Sequence, residues 1–307
     1  MLQRVRAFSR PMSQSWTRRH FLVGTLGALT SACASSRVAG PVEALQHASR
    51  ELAEIEAKVG GRIGVVALDT GTGRELAYRP DERFAMCSTF KWVLAAAVLT
   101  RVDRAQLSLD ERVRYGEADL LEYAPVTREH VEEGALTIDA LAAASVIVSD
   151  NTAANLLLAK IGGPAGFTEF VRGLGDSVTR LDRNEEMLNR NAAGDPRDTT
   201  SPRAMVGTMR KVLCGDVLSS ASRDRLLSWL RACETGKKRL RGGLPEGWIA
   251  GDKTGTGMRG AVNDVAIASP PGRAPILIAA YTSDGNASVE VLSAAHADIG
   301  RLVAREL

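Results

Sequence analysis

Residues 87–99 read CSTFKWVLAAAVL and place a lysine at the front of a run that is otherwise apolar. Ser88 and Lys91 stand three apart. Side chains at i and i+3 of a helix are neighbours, with Cβ atoms about 5–6 Å apart, so the spacing predicts that the hydroxyl and the ammonium meet. A serine hydroxyl is a weak nucleophile until a base takes its proton. A lysine serves as that base when burial or neighbouring cations destabilise its charged form. The same letters also describe a buried helix opened by a snorkelling lysine. The stretch alone does not choose, and the rest of the chain must.

Working outward, residues 62–80 (RIGVVALDTGTGRELAYRP) read as two strands around a Gly-rich turn. They follow a helical segment, residues 41–60, that stops at Gly60-Gly61. From 87 to 231 the apolar spacing is helical. Strand patterns return in GWIAGDKTG, VNDVAIASP and APILIAAYTS, and the chain closes on a helix. The expected fold class is α+β: an antiparallel sheet flanked by terminal helices, with an inserted all-α domain. The expected domains are 41–86 with 232–307, and 87–231. The stretch 182–199 is polar and long for a connection, as functional loops are.

Two more stretches carry candidate chemistry. In VSDNTAANLLL, Ser149-Asp150-Asn151 follows an apolar run; all three residues cap helices well, and they also suit a polar corner of a cleft. In GDKTGTG, residues 251–257, Lys253-Thr254-Gly255 lies between strand-like runs. Its glycines admit a ligand close to the backbone. A phosphate-loop reading fails, because Asp252 stands where the second glycine must be.

Serine-x-x-lysine, then Ser-Asp-Asn, then Lys-Thr-Gly is the ordered set of the penicillin-recognising serine enzymes. With them in this order, the chain resembles a class A serine β-lactamase over about residues 41–307. Glu185 and Asn189 match that family's Glu-x-x-x-Asn on an Ω-loop at 182–199, and Arg183 and Asp198 match the ion pair that closes it. Glu186 is adjacent, but Asn189 fixes Glu185 as the match. The resemblance implies hydrolysis of penicillins and cephalosporins through a serine acyl-enzyme, hence β-lactam resistance. Ser88 is then the nucleophile, with Lys91 or Glu185 taking its proton. Ser149 relays a proton, and Glu185 with Asn189 activates the deacylating water. The Ser88 and Thr256 N–H groups form the oxyanion hole, and Asn151 binds the substrate's side-chain amide. Lys253, Thr254, Gly255 and Thr256 line the carboxylate end, and Tyr123 supplies an aromatic wall. The carboxylate-binding arginine of many members falls here at Val262, which leaves Arg239, or Arg241 two residues on. The Thr256 hydroxyl leans toward cephalosporins. Alternatives on the same scaffold are a D,D-peptidase or transpeptidase, which lacks the Glu185 match, and a β-lactam sensor without turnover.

Composition narrows the classes further. The net charge of +3 becomes −2 once Arg4, Arg6, Arg10, Arg18 and Arg19 are set aside, so the basic balance belongs to the tail and no nucleic-acid surface is expected. That tail has Arg18-Arg19 and a short apolar run, Phe21–Leu29, and reads as a twin-arginine export signal over 1–34. It predicts a periplasmic protein, cut at Ala32-Cys33-Ala34 or lipidated at Cys33 and so held at the membrane. The partner is a small-molecule β-lactam and a monomer is expected. No cofactor and no metal are expected, since the four histidines are scattered and no C-x-x-C occurs. None of the mature histidines suggests a Ser-His-Asp triad. Cys87 reads as a small buried residue, and a Cys214–Cys233 bridge stays open.

Overall fold

Alternation of side chains explains the central sheet. In the computed structural model, which describes residues 41–307, helix α1 (Pro41–Val59) leads into strands β1 (Arg62–Asp69) and β2 (Glu75–Tyr78). The expected export signal and Cys33 lie outside the described residues. The β1–β2 turn is set by Asp69, whose Oδ1 accepts the N–H groups of Gly71 and Thr72 at 2.8 and 3.1 Å. Strand β3 (Phe84–Ala85) and a 3₁₀ turn, Cys87–Thr89, precede α2 (Phe90–Asp103). Then follow β4 (Arg112–Arg114), α3 (Pro125–Glu129), β5 (Ala135–Thr137), α4 (Ile138–Ile147), α5 (Asn151–Ile161) and α6 (Gly163–Gly173). After a loop come β6 (Thr199–Thr200), α7 (Pro202–Met209), α8 (Ser220–Ala232) and α9 (Leu240–Gly243). Strands β7 (Ile249–Thr256), β8 (Val262–Ser269) and β9 (Ile276–Ser283) and helix α10 (Val289–Glu306) complete the chain.

The five-stranded sheet has the order β2-β1-β9-β8-β7 and is antiparallel at every pairing. The inner strands are buried and largely apolar on both faces, because both are covered. Ile63, Val65, Ala67, Ile278 and Ala280 pack with Leu52 of α1 and Leu302 and Val303 of α10. The alternate residues Val66, Val265, Ala279 and Tyr281 face the helical block. The α+β architecture is the one expected. Sheet and helices share that second core, which is why residues 87–231 sit against β1 and β9 rather than apart.

Helix α2 runs through its middle. Every residue from Phe90 to Thr100 is buried, and a helix apolar all round belongs in an interior. Shortening a core side chain such as Leu94 to alanine costs about 2–5 kcal/mol. That rigidity matters because α2 begins where the candidate chemistry begins.

Candidate active site

Ser88 lies on the 3₁₀ turn rather than on α2 itself, and Cys87 before it has φ +45°. A non-glycine residue there is strained and persists only when its surroundings impose it. Asn263 of β8 imposes it, donating its side-chain amide to the carbonyls of Ala85 and Met86 at 2.9 and 3.2 Å. Gly255 of β7 also presses on the turn: a Cβ there would stand 2.7 Å from the Met86 carbonyl and 3.1 Å from the Ser88 nitrogen. Only glycine lets the strand pass so close.

The predicted meeting of Ser88 and Lys91 takes a different form. Lys91 is fully buried, and its Nζ contacts Glu185 Oε1 at 2.9 Å and donates to Asn151 Oδ1 at 2.6 Å and the Ser149 carbonyl at 2.9 Å. The Ser88 hydroxyl donates to Glu185 Oε1 at 3.2 Å. The two side chains are joined through the carboxylate, and no hydrogen bond links them directly. Lys91 is instead taken up by Glu185, Asn151 and the Ser149 carbonyl, and the carboxylate stands between the two side chains.

Glu185 is held from all sides. Asn189 donates to its Oε2 at 2.7 Å. Its backbone N–H and C=O are both bound by the Asn155 side chain, at 3.0 and 2.9 Å. The neck of the 182–199 loop is closed by Arg183 Nε on Asp198 Oδ2 at 2.5 Å. Asp198 is fully buried and also accepts the backbone N–H groups of Asp182 and Arg183 at 2.7 and 2.9 Å. Glu186 faces Asn151, whose amide donates to it at 3.2 Å, so it does not replace Glu185 at the Ser88 hydroxyl.

Opposite stands the Ser149-Asp150-Asn151 corner. Ser149 has φ +65°. Asp150 caps α5 through Ala153 at 2.9 Å and also binds the N–H groups of Val126 and Thr127, so its role is to hold the corner and the Tyr123 loop together. Lys253 Nζ donates to Ser149 Oγ at 3.1 Å. Full burial, with the charge of Lys91 nearby, draws the Lys253 ammonium down to about 8.

At the far end, Arg239 is 6% exposed and donates to the carbonyls of Gly255 and Asn263 at 2.9 and 2.6 Å and to Thr256 Oγ1 at 2.7 Å. Burial lowers its pKa. Arg241 points away and pairs with Asp252, so of the two arginines only Arg239 joins the cleft. Val262 is buried, with Thr282 beside it. A cavity of about 360 Å³ is lined by Ser88, Tyr123, Ser149, Asn151, Asn189, Arg239, Thr254, Gly255 and Thr256, and by Thr235. Tyr123 is half exposed at its mouth. A larger cavity, about 590 Å³, lies between the end of α2 and α6. It contains none of the predicted residues, and its lining has no nucleophile beside a base.

Two residues of the site were not anticipated. Thr235 meets Thr254 hydroxyl to hydroxyl at 2.5 Å, and Asn155 binds the Glu185 backbone. Asn155 stands one turn after Asn151 on α5, which is the only trace it leaves in the sequence. Cys87, Cys214 and Cys233 are all free, so the open Cys214–Cys233 bridge is not formed. Burial pushes the Cys87 thiol up to about 12, which makes it inert. His296 is buried, with Nε2 donating to the Val262 carbonyl at 2.8 Å, and burial draws it down to about 3. It is a neutral structural group and no part of a triad.

Comparison with known proteins agrees with this geometry. Residues 47–307 match the profile of the β-lactamase enzyme family. The chain is 46% identical over 278 residues to β-lactamase L2 of Stenotrophomonas maltophilia, covering 90% of this chain and 91% of that one. It is also 46% identical over 235 residues to the carbapenem-hydrolysing β-lactamase KPC of Klebsiella oxytoca, covering 76% and 80%. Among solved structures, an ancestral class A β-lactamase (GNCA) superposes with TM-score 0.83 at 55% identity, covering 85% of this chain and all of that one.

Proposed function

The chain belongs to the class A β-lactamases and hydrolyses the β-lactam ring, and on that premise we propose how its own residues divide the work. The observation that carries the reading is the join of Ser88 and Lys91 through the Glu185 carboxylate, at 3.2 and 2.9 Å.

Ser88 Oγ attacks the lactam carbonyl carbon and loses its proton to Glu185 or, through that carboxylate, to Lys91. The oxyanion that forms is held by the backbone N–H groups of Ser88 and Thr256; one such donor is worth about 3–4 kcal/mol. The C–N bond breaks, and the ring nitrogen takes a proton from Ser149, whose hydroxyl lies 3.1 Å from Lys253 Nζ; the proton taken from Ser88 passes through Lys91, 3.4 Å from Ser149 Oγ, to replace it, which leaves Glu185 ionised. Water then attacks the ester. Glu185, oriented by Asn189, takes the water's proton and returns one to Ser88 Oγ, which leaves the opened acid and free enzyme. Lys253, Thr254, Thr256 and Arg239 bind the substrate carboxylate, Asn151 its side-chain amide, and Tyr123 covers the mouth. A transpeptidase reading loses support from the 2.7 Å Asn189–Glu185 bond, which builds a hydrolytic base that such an enzyme does not need.

Penicillins and cephalosporins are the proposed substrates, and the Arg18-Arg19 tail supports export to the periplasm. A hydrolysis panel with a penicillin, an oxyimino-cephalosporin and a carbapenem tests the reading. Steady turnover of the first, abolished in Ser88→Ala, is expected. A single stoichiometric burst with no turnover contradicts it.

A further inference from the structure

Arg239 projects from a segment that is pinned from behind. The next residue, Leu240, donates its backbone N–H to Asp264 Oδ2 at 3.0 Å. Arg241 pairs with Asp252. Gly236 lies so close to Asp252 that an added Cβ would stand 1.5 Å from its Oδ2. On the other side, α9 rests on α10 through glycines. A Cβ on Gly243 would be 1.8 Å from the Ala297 carbonyl, and one on Gly300 2.3 Å from that of Leu240. The segment therefore has no freedom to settle elsewhere, and two of its anchors are carboxyls.

Those carboxyls are themselves unusual. Asp252 and Asp264 are both fully buried. The register pairs Thr254 with Asp264 and Asp252 with Ala266. The two acids are then diagonal neighbours on one face of the sheet, within side-chain reach. Asp264 Oδ1 receives no hydrogen bond from any N–H or O–H group of the protein, and Asp252 meets the Arg241 guanidinium through its Oδ1. Two carboxylates so placed, both fully buried, do not both ionise. One proton between them supplies the donor that Asp264 Oδ1 and Asp252 Oδ2 lack.

We propose that Asp264 is a positioning residue: a protonated carboxyl, bonded to Asp252, that holds the Leu240 N–H and so aims Arg239 at the substrate carboxylate. Burial, with the Asp252 charge beside it, pushes Asp264 well above the usual carboxylate range, and burial raises Asp252 too. The inference rests on Arg239 as a carboxylate ligand.

The test compares kcat and KM of the wild type, Asp264→Ala, Asp264→Asn and Arg239→Ala on a penicillin and on its methyl ester. Asp264→Ala is expected to raise KM for the free acid roughly tenfold, with kcat within about threefold, and to leave KM for the ester unchanged. Asparagine keeps an acceptor for Leu240 and gains a donor toward Asp252, so Asp264→Asn is expected to restore KM to within about twofold. If Asp264→Asn is raised as far as the alanine variant is expected to be, the group acts as an anion and the proposal falls; this arm decides the matter even if the alanine variant fails to fold. Equal losses on acid and ester mark a merely structural role and also overturn it. If Arg239→Ala leaves the acid and ester unchanged, the assignment of Arg239 itself fails, and the inference with it.

Discussion

Raising the pH acts on Lys253 before it acts on any other group of the carboxylate end. Burial draws this ammonium from 10.5 to about 8. The proton is held by the unfolded chain up to about 10.5 and by the free enzyme only up to about 8. Below pH 8 the folded protein therefore carries the whole cost of a buried ammonium, on the order of 3 kcal/mol. Between pH 8 and 10.5 that cost fades, so this residue's contribution to stability rises with pH. Substrate binding runs the opposite way, because the neutral amine no longer attracts a carboxylate. At pH 9 about one tenth of the enzyme keeps the charge, and kcat/KM falls about tenfold per unit beyond pH 8. The assay is kcat/KM for a penicillin from pH 6 to 10, with thermal melting at each pH. A guanidinium stays charged throughout, so Lys253→Arg, whatever its absolute activity, should lose the alkaline limb. A wild-type profile flat to pH 10, or a limb that persists in Lys253→Arg, refutes the reasoning.

Other consequences follow from the loop and the thiols. Asp198→Ala breaks a buried pair and leaves two backbone donors unmet, which costs about 3–5 kcal/mol and lowers the melting temperature by about 10 °C; a change under about 2 °C contradicts the account of the loop's neck. Asn155→Ala removes both bonds to the Glu185 backbone, a loss of about 2–3 kcal/mol, and deacylation should slow more than acylation in stopped-flow traces; equal slowing contradicts it. Cys214 is exposed and Cys87 buried, so iodoacetamide followed by peptide mapping should label Cys214 in the folded enzyme and spare Cys87. Comparable labelling of the two contradicts the burial of Cys87.

Much of this was legible because the chemistry is written in short local motifs. The three motifs and the Glu185–Asn189 pair each occupy a few consecutive residues, and short strand-like runs bounded by turn residues disclosed the sheet. What was hidden depended on contacts between distant segments. Spacing placed Ser88 against Lys91, but the Glu185 carboxylate, brought in by the 182–199 loop, stands between them and carries their link. Arg239 and Arg241 are two residues apart, and the family resemblance favoured Arg239 without excluding Arg241; the buried Asp252 takes Arg241 and leaves Arg239 for the cleft. Asn155 carries no motif, and its task exists only because the 182–199 loop folds back onto α5. Asp150, read only as one of three polar residues, ties α5 to the Tyr123 loop.

The central claim is that Glu185 supplies the base for deacylation. Its most direct measurement is mass spectrometry of Glu185→Ala mixed with a penicillin, sampled over hours. Lys91 still stands beside Ser149 and Asn151 to support attack, so a persistent adduct of one penicillin mass on Ser88 is the expected result. Turnover near the wild-type rate, with unmodified protein recovered, would contradict it.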